Sequence, residues 1–323
     1  MSKRQFLYLT FSTAALWLTT AHPALAQASS ASQTLKIVVA TPAGGASDAA
    51  ARLMAQSMAK NLGHPVIVEN KPGGNGIPAV QAVLGAAADG KTLLWAMSSM
   101  AGMPQLVKSA PLKSMAELTP VAPVVNVMYG VFVNPKVPAN TMAELTAYIK
   151  ANPDRLNYGT GVLSEYMVTM HYLQAAGLKA TRVPYKGGVQ VMPDLISGEL
   201  QFTVGALAPA LPQVKSGKLR LLATLPDRAE VVPGVPSLAS SGIATDDLPT
   251  WNGLVAPPGT PQNVVTRLAQ EVNRALTEPP LRTALEAQGF QVTGGTPQQM
   301  GAAIESATAT WRKFIRDHNI PQE

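Results

Sequence analysis

The chain has no cysteine. Disulfide staples, thiolate metal sites and cysteine nucleophiles are therefore excluded, and the fold must rest on its core. Charged residues make up only 14% and aromatic residues 5%, against 46% apolar residues in all. That balance belongs to a packed globular protein rather than a disordered one. Histidine is scarce: His22, His64, His171 and His318. Neither H-E-x-x-H nor G-x-S-x-G occurs, so zinc-hydrolase and serine-hydrolase chemistry lack their local signatures. A triad assembled in space stays open on this ground alone. Basic residues are scattered, as at Lys71, Lys91, Lys108, Lys113, Lys136 and Lys150. No basic stripe or nucleic-acid motif forms, and nucleic acid is not an expected partner. No long apolar run follows residue 26, so no transmembrane helix is expected beyond it.

The first 26 residues are distinctive. Lys3 and Arg4 precede an uncharged, mostly apolar run from Phe6 to Thr20. Ala24-Leu25-Ala26 then supplies a small-x-small cleavage pattern before Gln27-Ala28-Ser29-Ser30. This reads as a secretory signal peptide, with an apolar run shorter than the roughly 20 residues a bilayer requires. Residues 27–323 are expected to work in the periplasm. Loss of Lys3 and Arg4 lowers the formal charge of +6 by two. The moderate positive balance that remains suits attraction of a small anion.

Short β-like runs alternate with helical stretches. Leu35 to Ala40, Val66-Ile67-Val68 and Thr92 to Met97 read as strands, with helices over Ser47 to Asn61 and Ile77 to Ala88. The pattern restarts with a strand at Val131-Phe132-Val133 and a helix opened by the capping box Thr141 to Glu144. Further strands are expected at Leu156 to Tyr158, Thr181 to Pro184, Leu200 to Val204 and Leu219 to Ala223. Helices lie between them. Gly253 to Ala256 reads as a strand, and Thr260-Pro261 and Thr296-Pro297 as starts of two last helices. The fold class is α/β: two lobes, each a mixed, mostly parallel sheet flanked by helices, with a ligand cleft between. The expected division is 27–133 with 251–323 as lobe 1, and 134–250 as lobe 2. A hinge is expected near Asn134-Pro135 and Pro249-Thr250.

Four strand-end loops could hold a ligand. Thr41 to Asp48 joins a strand to a helix. Its glycines allow close approach, and a helix start favours an anion. Ser47 could donate a hydroxyl, or Ser47 or Asp48 could simply cap the helix. Asn70 to Ile77 contains a formal G-x-G-x-x-A at Gly74, Gly76 and Ala79. The ribose-binding acid about 20 residues on is missing, so a structural turn is the better reading. Tyr158 to Ser164 is the equivalent loop in the second lobe. Tyr185-Lys186-Gly187-Gly188 ends another strand, where Lys186 offers either ligand charge or a solvated surface group.

Five segments carry a resemblance to a known family. They are Gly44 to Arg52, Val68 to Gly74, Val183 to Gly187 with Asp194 to Gly198, Gly217 to Arg220, and Trp251 to Pro261. Over nearly all of residues 27–323 the chain resembles the substrate-binding proteins of tripartite tricarboxylate transporters, the Bug family. The resemblance implies a periplasmic binding protein that closes on a small carboxylate and passes it to membrane permease subunits. It implies no enzyme activity, cofactor or metal, and a monomer. By match, ligand contact falls on Ala43, Gly44, Gly45, Ser47 and Asp48 of the first lobe, and on Ser98 and Ser99. In the second lobe it falls on Gly159, Thr160 and Gly161, with Tyr185 and Lys186 added from their loop. Where the family pattern runs Gly-Ser-x-x-His, this chain has Ser164-Glu165-Tyr166-Met167-Val168. Tyr166 and Met167 would suit an apolar or aromatic body, and Glu165 would repel a second carboxylate or pair with an amine. A ligand-sensing module for a sensor kinase is the alternative role, and an exported hydrolase a weaker one.

Overall fold

The structure is a computed structural model and describes residues 34–225, 232–243 and 248–322. The expected signal peptide, residues 1–26, lies outside the described residues.

The first sheet begins with three apolar runs that form parallel strands: β1 (Leu35–Val39), β2 (Val66–Asn70) and β3 (Thr92–Met97). Helix α1 (Ala46–Leu62) connects β1 to β2, and α2 (Ile77–Leu84) lies between β2 and β3. Gly63, left-handed at φ 70°, stops α1 by donating its N–H to the Ala59 carbonyl. A short α3 (Met103–Leu106) follows β3. The long strand β4 (Thr119–Val127) comes next.

The second sheet opens with β5 (Tyr129–Val133). It continues through α4 (Met142–Ala151), β6 (Asn157–Thr160), α5 (Leu163–Ala175), β7 (Thr181–Pro184), α6 (Val191–Ser197), β8 (Phe202–Ala206), α7 (Leu207–Lys215) and β9 (Arg220–Leu225). The chain then returns to the first sheet with β10 (Trp251–Ala256), α8 (Gln262–Leu276), α9 (Pro279–Ala287), β11 (Phe290–Val292) and α10 (Pro297–Asp317). The sheet orders are β11-β4-β10-β3-β1-β2 and β7-β6-β8-β5-β9. Each mixes parallel pairs with antiparallel ones: β3/β10, β4/β10 and β4/β11 in the first, β5/β8 and β5/β9 in the second.

The sheet pairing moves one expected boundary. β5 bonds to β8 and β9, so Tyr129–Val133 belongs to the second sheet and the chain crosses at Met128, ahead of residue 133. Asn134, expected near a hinge, directly follows β5 of the second sheet. Its buried amide donates to the Leu195 and Ile196 carbonyls at 2.7 and 3.0 Å, inside the second lobe. At the crossing, Val127 N–H donates to the Thr250 carbonyl (2.8 Å), which sets the outgoing and returning segments side by side.

β4 is absent from the sequence reading because Pro120 and Pro123 break its strand pattern. A proline lacks the N–H that an interior strand needs and is tolerated at bulges. The β10/β4 register shifts between Asn252 and Gly253 and between Leu254 and Val255, beside those two prolines. Thr296 caps α10 as expected, in a reciprocal box with Gln299 (3.2 and 2.7 Å). Thr260 does not cap α8, because its hydroxyl donates to the Pro257 carbonyl instead.

Candidate functional site

The cleft between the sheets is built from strand-to-helix loops of both lobes. On the first lobe, β1 ends at Val39 and the chain turns through Gly44, whose φ of 80° requires glycine or strain. Gly45, at φ −74°, does not need to be glycine for its backbone. Gly44 N–H donates to Asp48 Oδ2 (2.9 Å), and Gly45 N–H to the Pro42 carbonyl (3.2 Å). Asp48 is buried and carries three further bonds. Arg52 donates at 3.0 Å to each of its oxygens, and Asn70 Nδ2 donates to Oδ1 at 2.8 Å. Burial alone would raise this carboxyl. The Arg52, Gly44 and Asn70 hydrogen bonds outweigh it and hold the group below its ordinary 3.8. Asn70 Nδ2 also donates to the Thr41 carbonyl (3.0 Å), which pins the loop to β2.

The second lobe repeats the device. Glu165, on the first turn of α5, accepts from Gly161 N–H (2.5 Å) and Val162 N–H (3.3 Å) through one oxygen. It is 2% exposed. No cation pairs with it among the described residues. Burial pushes its carboxyl up to about 7, and the two backbone bonds oppose this only in part. Its neighbour Tyr129 is also driven well above the ordinary phenol range, by burial first and then by the Glu165 charge, against a hydrogen bond with Ser164.

The lobes meet in a near-closed arrangement. Pro42 abuts Gly187 so closely that a methyl group there would lie 2.4 Å from Pro42 Cδ. Two chambers result, sharing Met97 and Val162 in their walls. The larger, about 300 Å³, lies between the Gly73–Gly76 loop and Ser99 of one lobe and Thr160, Gly161, Tyr166 and Tyr185 of the other. Its cations are Arg182 and Lys186, both exposed at its mouth. The Arg182 guanidinium lies 4.0 Å from the Tyr166 ring centroid, and its Nε donates to Thr160 Oγ1 (2.9 Å). The smaller chamber, about 40 Å³, is faced by Gly45, Ser47, Tyr129, Glu165 and Asn252, and its wall holds no Lys, Arg or His.

Several sequence expectations need correction on this geometry. Ala43 and Gly44 are exposed and line neither chamber. Gly44 N–H, Gly45 N–H and Gly161 N–H, expected to face a ligand, are already bonded within the protein. Asp48 is an ion-pair partner rather than a lining group. Ser47 does line the small chamber, but its hydroxyl is engaged. In the amide orientation that gives every group a partner, Asn252 Oδ1 accepts from Ser47 Oγ (2.9 Å) and Trp95 Nε1 (3.0 Å). Ser98 is turned away: its hydroxyl donates to the Pro249 carbonyl (2.6 Å), and its own carbonyl accepts from Trp311 Nε1 (3.1 Å). Gly159 is a packing glycine of β6, where a Cβ would lie 2.4 Å from Val191. Met167 is core.

Ser99, Thr160, Gly161, Tyr185 and Lys186 do come together, around the large chamber. The Tyr185 hydroxyl donates to Asp194, so the ring is fixed in the wall. Sequence reasoning missed Arg182, Tyr129 and Asn252. It also treated the Gly73–Gly76 loop as a turn only, whereas that loop forms chamber wall with four successive positive φ values, Asn75 among them. The run Gly73-Gly74-Asn75-Gly76, residue types that tolerate positive φ, is the sequence signal that could have found it. Among the described residues, no group of three His, Cys, Asp or Glu side chains could hold a metal ion.

Comparisons with known proteins agree with this architecture. The family model of the tripartite tricarboxylate transporter family receptor matches residues 50–320. Protein BugT of Bordetella pertussis is 31% identical over 288 residues, covering 88% of each chain. A UPF0065 protein from the gbd 5' region of Cupriavidus necator is 35% identical over 294 residues, again 88% of each. Among solved structures, the periplasmic binding protein BugD superposes with a TM-score of 0.85 at 26% identity, covering 90% of this chain and 99% of its own. Rpa4515 of R. palustris, solved with adipate, gives 0.85 at 27% identity, covering 90% and 98%. MatC from Rhodopseudomonas palustris, with bound malate, gives 0.79 at 27%, covering 87% and 98%. The two-lobed periplasmic binding-protein fold, the parallel-and-antiparallel sheets and the sequence matches lead to one conclusion: the chain belongs to the tripartite tricarboxylate transporter receptor family, the Bug-type solute-binding proteins.

Proposed function

We propose that this receptor captures a small carboxylate between its lobes in the periplasm and presents it to the permease subunits of a tripartite transporter. Residues 1–26 serve as its export signal. Lobe 1 comprises 34–127 with 251–322, and lobe 2 the segment between them. The observation that carries the ligand class is the large interlobe chamber. It has the volume of a small organic acid, and Arg182 and Lys186 stand at its mouth, where they would attract and then hold an anion. Relatives solved with adipate and malate support the same class. Ser99, Thr160 and Gly161 supply short polar contacts, and Tyr166 a flat apolar surface. The first-turn N–H groups of α1 at Ala46 and Ser47 have no partner among the described residues. They add an electropositive end at the small chamber, which Ala46 and Ser47 line. No bond is made or broken in this role.

The test is a melting-temperature screen of residues 27–323 against carboxylates, amino acids and aromatic acids. A bound ligand at 100-fold its Kd stabilises the closed form by about 2.7 kcal/mol, which a melting curve resolves readily. The reading expects a shift with one class of carboxylate. No shift with any of them overturns it.

A further inference from the structure

We infer that Glu165 sets the charge of the ligand: this receptor takes acids with one carboxylate and rejects those with two. The inference rests on the carboxylate reading above and names the subclass.

The second-lobe loop is the place where a ligand's far end would meet backbone amides. Helix-start amides such as Gly161 and Val162 N–H are general anion holders. Here the anion they hold is built in. Glu165 reaches back from the first turn of α5 and accepts from both through a single oxygen. Val162, the residue before the helix, has no side-chain acceptor, so Glu165 is the only capping group of that turn. The second Glu165 oxygen points toward Gly188, where an added methyl group would lie 2.6 Å away. The carboxylate is therefore wedged beneath the loop that walls both chambers.

A second ligand carboxylate arriving at this loop meets three obstacles. The amides are occupied. Once ionised, above about pH 7, Glu165 repels it in a desolvated setting, where like charges a few ångström apart interact strongly. No Lys, Arg or His on the small-chamber wall compensates. The polar side chains that share this wall with Glu165 are Thr41, Ser47, Tyr129 and Asn252; the Ser47 hydroxyl and Asn252 amide already satisfy each other, and Thr41 offers only an uncharged hydroxyl. Arg182 and Lys186 lie across the loop in the large chamber, where they hold the first carboxylate. The first-lobe loop carries no such discrimination, because its capping Asp48 is neutralised by Arg52.

The experiment uses matched pairs: succinate, adipate and terephthalate, each beside its monomethyl ester, titrated into wild type, Glu165→Gln and Glu165→Ala at about pH 8, where Glu165 is ionised, and at fixed ionic strength. Glutamine keeps an acceptor for the two amides and removes the charge. Alanine frees the amides, and circular dichroism monitors its fold. In wild type the half-ester of at least one pair binds at least about tenfold tighter than the diacid. Glu165→Gln shrinks that ratio about tenfold or more, and Glu165→Ala shrinks it further or reverses it. Equal affinity for diacid and half-ester in wild type overturns the inference while leaving the carboxylate reading intact. So does a ratio unchanged in Glu165→Gln. Absence of binding for every acid in every variant overturns the carboxylate reading itself, and this inference with it.

Discussion

The loops 41–48 and 160–165 are two copies of one local solution with opposite electrostatics. In each, a strand ends, the chain turns through glycine, and an acidic side chain on the first helical turn bends back onto the loop's own N–H groups. Asp48 takes Gly44 N–H and Glu165 takes Gly161 N–H. The difference lies in what surrounds the carboxylate. Asp48 has Arg52 and Asn70, so its charge is answered inside one lobe and its pKa is depressed. Glu165 has amides only, and burial drives its pKa up. The first loop is a structural clamp. The second keeps an unneutralised buried acid beside the cleft, a costly arrangement that a fold tolerates mainly where ligand chemistry uses it.

That contrast can be broken in order of expected effect. Asp48→Ala strands Gly44 N–H, removes one of the two acceptors of the Asn70 amide and leaves Arg52 without its ion-pair partner. It should cost about 2–3 kcal/mol of stability, read from the urea midpoint, because buried donors lose their partner. A loss below about 0.5 kcal/mol would show that the clamp is ornamental.

The pH dependence separates the two acids. The folded state holds the Glu165 proton up to about 7, whereas an ordinary glutamate releases it near 4.5. Wild type should therefore lose stability relative to Glu165→Gln as pH rises through that window, and level off above it. Asp48 runs the other way. Its contribution is present above the ordinary 3.8 and lost as pH falls through its depressed folded value, so the Asp48→Ala deficit should shrink only in strong acid. Denaturation midpoints collected from about pH 3 to pH 8 check both signs.

Two smaller effects concern closure and capture. Gly187→Ala puts a methyl group 2.4 Å from Pro42 Cδ at the lobe contact, while the extended backbone of Gly187 accepts alanine. Ligand affinity should fall about tenfold with stability unchanged to within about 0.5 kcal/mol, measured by calorimetric titration beside a melting curve. Lys186→Ala should weaken binding about threefold, and less so in high salt, since Lys186 is an exposed charge at the chamber mouth.

Much of the fold was legible because its strands are apolar and β-branched and its helices carry ordinary start and stop signals. β1, β3, α1 and α10 fall within a residue or a few of the sequence reading. β4 was hidden by Pro120 and Pro123, whose tolerance depends on bulges in a partner strand distant in sequence. The crossing at Met128 was hidden because β4 and β5 are one nearly continuous apolar run, and only pairing assigns each to its sheet. The site was half legible. Glycine-rich strand-to-helix turns marked loops that wall the two chambers. Which amides stay open depends on where Asp48 and Glu165 point, and that follows from side-chain direction on the first helical turn. Arg182 was invisible as a site residue because it sits in an edge strand, and its role comes from stacking on Tyr166.

The most direct test is a carbon-detected NMR titration of the Asp48 and Glu165 side-chain carboxyls in the ligand-free protein. The account predicts that Glu165 titrates at about 7 while Asp48 stays ionised to below 3.8. Both groups titrating together in the ordinary carboxylate range would contradict it.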